Sequence, residues 1–279
     1  MNREYMRFPG FLRRALTLSY DDGVRQDKRL IAIMQKHGIK GTFNINSGLF
    51  SSERSDVEKG RMTVEEAVEL YADSGMEVAV HGLKHLSLPD VPAIIALNDV
   101  FEDRKNLEKI FGRNITGMAY AFGTYSDNVV EQLKMCGISY SRTTVSTQKF
   151  AVPDDFLRLP ATCHHRVPNL MDLAREFLTD PTRGLNLRRP QLFYLWGHSY
   201  EFDDNDNWHI IEEFCEFMGG RDNIWYATNG EIVDYVKAFD SLVFSVDATR
   251  VYNPTATDVY LCISGREYLA KAGATIALS

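Results

Sequence analysis

From Leu16 onward the chain alternates. Short runs of strand character are separated by amphipathic stretches of ten residues or more. "ALTLSY" reads as a strand. "DKRLIAIMQKHG" follows as a helix, with Leu30, Ile31, Ile33 and Met34 on its apolar face and Gly38 as its stop. "GTFNIN" is a second strand. Thr63 and Glu66 make a capping box before "TVEEAVELYADSG", and "MEVAVHG" is a third strand. A helical pattern runs from about Pro92 to Phe111 and stops at Gly112. The alternation continues through "ITGMAYAFG", "DNVVEQLKMCG", "ISYSR", "FLRLPAT", "NLMDLAREFL", "QLFYLWGH", "NWHIIEEFCEFM", "NIWYAT" and "GEIVDYVKAF". Strands joined through helices of this length form βαβ units and a parallel sheet. Seven or eight such units within about 230 residues point to a (β/α) barrel rather than an open sheet, with an open doubly wound sheet as the alternative. After Phe239 the helical pattern ends, and short alternating runs between Pro, Gly and Asn predict an antiparallel β appendage. The expected organisation is a barrel over residues 1–239 and a small appendage, 240–279, packed on it.

Composition narrows the function classes. The net charge is −7 and no Lys/Arg-rich run occurs, which argues against a nucleic-acid partner. No run of about 18 apolar residues predicts a membrane span. The opening "MNREYMRFPGFLRRALTL" has no apolar core of signal-peptide length, so a cytoplasmic protein is expected. Cys136, Cys163, Cys215 and Cys262 are scattered without CxxC spacing, and are expected to be free buried thiols.

In parallel α/β folds the C-terminal ends of the strands carry the chemistry. The first strand here ends in Asp21 and Asp22, the third in "HGLKH" with His81 and His85, and the apolar run "LFYLWGH" in His198. His81 and His85 are four apart, and a helical turn after the strand would aim both imidazoles at one ion. Two histidines need a third ligand, and Asp21 or Asp22 can supply it, leaving the other as a general base. A bound cation offsets the repulsion between the two carboxylates, and Gly23 lets the chain turn both inward. An Asp-Asp-Gly turn in solvent and two unrelated surface histidines are the plainer alternatives.

"SYDDG", "HGLKH", "AYAFGTY" and "LWGH", in that order over roughly residues 15–235, resemble the motifs of the NodB-type polysaccharide deacetylases, carbohydrate esterase family 4. The resemblance implies a metal-dependent amidase on a distorted (β/α) barrel. It makes Asp21 the catalytic base, Asp22, His81 and His85 the metal ligands, and His198 the general acid. It also makes Tyr120, Phe122, Tyr125 and Trp196 groove-lining residues, with a backbone N–H near Phe122 facing the oxyanion. The family's third motif usually holds an Arg that pairs with the base; "MAYAFG" has none, and Arg142 and Arg158 are the candidate substitutes. The usual second-motif Ser is Gly82, and the family's Asp-and-Trp segment has no counterpart between residues 138 and 165. His164 and His165 are secondary candidates there, while His37 and His209 read as structural. The implied cofactor is one divalent metal, zinc first, with cobalt, iron or manganese suited to the same donors. The implied partner is an acetylated sugar or small amide, without nucleic acid or membrane. Cyclic amide or imide hydrolysis, as in relatives within the same superfamily, is the alternative activity; a non-catalytic sugar-binding relative is the non-enzymatic one.

Overall fold

The computed structural model describes residues 3–54, 59–179 and 189–278. In chain order the elements are β1 (Met6–Arg7), β2 (Arg14–Asp21), α1 (Asp27–Lys36), β3 (Gly41–Ile45), α2 (Val64–Tyr71), β4 (Glu77–Val80), α3 (Ala93–Phe111), β5 (Gly117–Ala119) and α4 (Asp127–Met135). They continue with β6 (Tyr140–Ser146), β7 (Leu159–Ala161), β8 (Cys163–His164), α5 (Leu170–Leu178), β9 (Gln191–Gly197), α6 (Tyr200–Asp204), α7 (His209–Met218), β10 (Ile224–Tyr226) and α8 (Asn229–Asp240). Short strands close the chain: β11 (Val243–Phe244), β12 (Arg250–Tyr252), β13 (Val259–Ile263), β14 (Arg266–Ala270) and β15 (Thr275–Ala277).

The main sheet is parallel and runs β7-β6-β5-β4-β3-β2-β9-β8. Its two outermost strands are consecutive in the chain. Only Thr162 separates β7 from β8, and its N–H donates to the Tyr194 carbonyl of β9 at 2.9 Å. The stretch 159–164 therefore crosses from β6 to β9 and closes the ring. Seven strand positions make the barrel, and β10 pairs with the first residues of β2, Arg14 to Leu16, as an eighth. This is the expected distorted (β/α) barrel.

All eight residues of β2 are buried, as befits a strand with neighbours on both edges and helices outside. Helix α1 buries Leu30, Ile31 and Met34. Helix α2 starts at the Thr63–Glu66 capping box, whose two reciprocal bonds are 3.2 and 2.8 Å long. Such a cap contributes about 1 kcal/mol. Helix α3 ends on Gly112 at φ +64°. Among the described residues, no helix is long and apolar enough to cross a membrane. The four cysteines are free, three of them buried.

The terminal strands form two three-stranded antiparallel sheets, β1-β13-β14 and β11-β12-β15. The first takes β1 from the start of the chain, so Met6 and Arg7 pair across the division expected at residue 239. Two residues carry no periodicity, which is why the sequence did not reveal this strand. Met6, Phe8, Tyr235, Phe239 and Leu261 pack together between α8 and that sheet, and each fully buried side chain of this size stabilises by roughly 1.5–3 kcal/mol.

Candidate metal centre and active site

Strand β2 delivers Asp21 into the barrel mouth, 2 % exposed. The backbone then turns through two left-handed residues, Asp22 at φ +83° and Gly23 at φ +61°. Asp tolerates this region better than most side chains. At Gly23 it does not suffice to tolerate φ, since a Cβ would stand 2.9 Å from Ile45 Cγ2. The turn brings Asp22 round beside Asp21.

At the end of β4 the expected helical turn is absent. Gly82 at φ +84° and His85 at φ +55° fold "HGLKH" back on itself, and the His81 and His85 rings meet edge-on with centroids 4.8 Å apart. A Cβ on Gly82 would lie 2.6 Å from Asp99 Oδ2, so a larger residue has no room there. Ligand atoms of Asp22, His81 and His85 lie within 4.8 Å of one another. The Ala119 carbonyl, 2.9 Å from His81 Nδ1, can only accept. The proton is thus on Nδ1, and Nε2 keeps its lone pair, buried and without a hydrogen-bond partner. A buried, unpartnered imidazole nitrogen is costly, and a divalent ion would satisfy it. Two imidazoles, one carboxylate and open positions fit such an ion.

Asp21 sits differently. Asn44 Nδ2 donates to its Oδ1 at 2.8 Å, and the Arg142 guanidinium donates to its Oδ2. Burial pushes the Asp21 carboxyl up; Arg142 chiefly, then His81 and His198, outweigh that and hold it at about 2. Arg142 is itself fully buried and lies 4.2 Å from the centre of the Trp196 ring. Arg158, the other candidate, pairs with Asp155 and Asp127, each at 2.6 Å, away from Asp21. Arg61, which the sequence did not single out, reaches Asp22 Oδ1 at 3.2 Å.

His198 Nε2 is 3.9 Å from Asp21 Oδ2 and 4.0 Å from Asp22 Oδ2. Its Nδ1 lies 3.5 Å from Glu201 Oε2. Burial alone would lower the His198 pKa; Glu201, Asp21 and Asp22 raise it above the ordinary value. Glu201 was missed in the sequence. The available signal was its place three residues after His198, where α6 begins. The same oxygen lies 3.2 Å from His164 Nε2 and 3.1 Å from His165 Nε2. Burial would raise the Glu201 carboxyl, but these imidazoles and His198 drive it far below the usual carboxylate range. His164, His165 and Glu201 are close enough together to suggest a second ligand set. The Arg166 N–H, however, donates to His164 Nδ1 at 3.1 Å, so the His164 proton sits on Nε2, facing Glu201. The group is a carboxylate oxygen ringed by three imidazole nitrogens at ion-pair distance. His165, stacked 4.2 Å from Phe202, is pushed down to about 4 by burial.

Residues 11–141 match the family model described as polysaccharide deacetylase. The resemblance to that family covers just under half of the chain. The matched part includes Asp21, Asp22, His81 and His85 and ends just before Arg142. A protein of Mycobacterium smegmatis classed as a polysaccharide deacetylase has the same fold: TM-score 0.58 at 16 % identity, over 85 % of this chain and 94 % of that one. A peptidoglycan deacetylase of Bacillus subtilis gives 0.49 at 15 %, over 82 % and 94 %. A carbohydrate esterase family 4 pseudoenzyme of Bacillus anthracis gives 0.48 at 13 %, over 82 % and 68 %. No curated protein matches the chain.

Around this site the aromatic residues split into two groups. Phe122 is 64 % exposed, at φ +58°, with its ring 4.5 Å from that of His85. Tyr125 is partly exposed at the same rim. Tyr120 is buried, donates its hydroxyl to the Leu157 carbonyl at 2.8 Å, and stacks under Tyr125. Trp196 is mostly buried against Arg142. Tyr120 and Trp196 thus back the rim instead of facing a groove: Tyr120, just past the end of β5, is packed under Tyr125, and Trp196 lies in β9, whose residues after Gln191 are all buried. His37 follows the last residue of α1, and His209 is exposed at the start of α7.

Proposed function

We propose that this protein is a deacetylase of the family it resembles: a divalent-metal-dependent hydrolase that removes acetyl groups, N-linked first and O-linked as a variant, from a carbohydrate. The observation that carries the reading is the convergence of Asp22, His81 and the unpartnered His81 Nε2 with His85, beside an Asp21 held ionised by Arg142. Asp22, His81 and His85 would hold the ion; zinc suits them, and cobalt, iron and manganese suit them too. The ion supplies Lewis acidity toward the acetyl carbonyl and the attacking water.

The protein groups then divide the proton transfers. Asp21, anionic in the presence of Arg142, takes a proton from the water as its oxygen bonds to the acetyl carbon. The Phe122 backbone N–H faces the oxygen that becomes anionic. His198, raised toward its protonated form by the Glu201, Asp21 and Asp22 carboxylates, gives its Nε2 proton to the departing nitrogen as the C–N bond breaks. Acetate and a free amine result. Exposed Phe122 and Tyr125 offer flat surfaces for a sugar ring. A soluble acetylated sugar or oligomer is the proposed substrate.

Elemental analysis of purified protein, with an acetate-release assay on N-acetylglucosamine oligomers and a cyclic imide, tests the reading. About one divalent ion per chain is expected, lost in His81→Ala and His85→Ala. Full metal occupancy in both variants overturns the ligand set. Imide opening without acetate release moves the activity to cyclic amides, and activity on neither makes the domain a non-catalytic relative.

A further inference from the structure

Helix α3 places two carboxylates on its buried stripe. Ala96, Asp99, Val100, Asp103 and Leu107 are its buried positions, and Asp99 and Asp103 are one turn apart on the same face. Carboxylates on a core-facing stripe are costly unless they are hydrogen-bonded. Both are bonded to backbone amides of the turn that carries His81 and His85; Asp103 also takes the Ser47 N–H, and the His81 N–H is shared with the Ile45 carbonyl at 3.1 Å. Asp103 Oδ2 accepts the His81 N–H at 3.1 Å, and its Oδ1 accepts the Ser47 N–H at 2.7 Å. Asp99 Oδ1 accepts the Lys84 N–H at 3.0 Å, and its backbone carbonyl accepts the Leu83 N–H at 3.2 Å. From the other side Asn46 Nδ2 donates to the His81 and Gly82 carbonyls at 2.8 and 2.7 Å.

This arrangement answers a specific difficulty. "HGLKH" is not a helix, so no i→i−4 ladder fixes the relative direction of its two imidazoles. Its fold depends on two left-handed residues, one of them the non-glycine His85. Such a residue costs of order 1 kcal/mol and persists only where its surroundings hold it. Asp99 and Asp103 hold it at Lys84 and at His81, just before each ligand or at it.

We infer that Asp99 and Asp103 are positioning residues for the metal centre: from α3 they clamp the His81–His85 turn in its ligating form. The inference rests on the metal reading above. The two carboxylates differ in a way that sharpens it. Both oxygens of Asp103 accept backbone N–H groups, so an Asn there must set its own NH₂ against one donor. Asp99 Oδ2 is buried with no hydrogen-bond partner, so an Asn there can keep the Lys84 bond through its oxygen while its NH₂ replaces an oxygen that has no donor to lose.

The test is zinc affinity by competition with a chromogenic chelator, on wild type, Asp103→Asn, Asp99→Ala, Asp99→Asn and the exposed-pair control Glu102→Gln, with the thermal midpoint of each apo protein. Asp103→Asn and Asp99→Ala should bind zinc about 10- to 100-fold more weakly, the range for loss of a group that orients a ligand. Asp99→Asn should stay within about threefold of wild type, as should Glu102→Gln. A clamp acting on ligation shows as this Asn rescue at position 99 alone; a merely structural role would move the apo midpoints while zinc affinity stayed put. Equal zinc affinity in all five proteins overturns the inference alone. Zinc bound by none of them, wild type included, overturns the metal reading and the inference with it. Should Asp103→Asn fail to fold, the Asp99 pair decides: affinity lost in both Asp99 variants, or in neither, is the refuting result.

Discussion

Asp27 opens helix α1 wholly buried. Its carboxyl accepts the Tyr71 hydroxyl at 2.6 Å, the Ser199 hydroxyl at 2.5 Å and the Val24 N–H at 3.2 Å. It thereby ties the turn after Asp21 and Asp22 to the residue that follows His198. No cation pairs with it among the described residues, and burial, working against the three donors, pushes its pKa from 3.8 up to about 7. A carboxyl that holds its proton more tightly folded than unfolded stabilises the fold most below about pH 4. That stability is lost as pH rises through about 7. The gap from 3.8 to about 7 corresponds to roughly 4 kcal/mol at 1.36 kcal/mol per pH unit. Asp27→Asn removes the titration. Its oxygen can still accept one donor, and its NH₂ can donate to a rotated Ser199 or Tyr71 hydroxyl. Urea unfolding of both proteins at intervals from about pH 4 to about pH 8, in the presence of chelator, reads the difference directly. Wild type should lose stability relative to Asp27→Asn by up to about 4 kcal/mol over that range, mostly below about pH 7. A difference that stays flat with pH, or that grows in favour of wild type, would mean that the three donors keep Asp27 ionised and would refute the reasoning.

Arg142→Met should destabilise by about 3–5 kcal/mol, because it strands the buried Asp21 carboxylate, while Arg158→Met, at the surface, should cost about 1 kcal/mol or less; thermal or urea unfolding compares them. His198→Ala should cut amide turnover roughly 10²- to 10⁴-fold with metal content intact, and equal losses on an activated ester would remove it from the role of acid. Glu201→Gln should slow amide turnover at least about tenfold, and the activated ester less; unchanged amide kinetics would leave Glu201 without a part in the chemistry.

The barrel was legible because its signals are local. The apolar face of α1, the Thr63–Glu66 box and the Gly112 stop each act within a few residues, and the period of the pattern fixes strand or helix. Asp21, Asp22, His81, His85 and His198 were legible as a set because each follows a strand. Long-range partners were not. Arg142 lies 121 residues from Asp21, and nothing in "ISYSR" separates it from Arg158 until the sheet is assembled. Glu201 looks like any acidic residue in the first turn of a helix. Asp99 and Asp103 interrupt the apolar stripe of α3, a visible anomaly, but the amides they face belong to a turn whose left-handed residues no periodicity encodes. Tyr120 and Trp196 looked like groove residues because they neighbour the motifs, and packing under Tyr125 and within β9 buried them.

Sheet register explains how Arg142 comes to stand beside Asp21. The stretch "MAYAFG" runs along β5 and past its end. In the parallel pairing of β5 with β6, Ala119 of that stretch is the register partner of Arg142. An arginine one strand further round the barrel therefore starts from the same height above the sheet as the motif residue would. Its long side chain covers the extra interstrand step of about 4.8 Å. The Trp196 ring supports the guanidinium on its way to Asp21. The Ala119 carbonyl meanwhile accepts the His81 Nδ1 proton, a task that falls to the backbone and survives any change of side chain. Two requirements of one motif, a cation for the base and an acceptor for a ligand histidine, are thus met by two strands: the side chain from β6 and the main chain from β5.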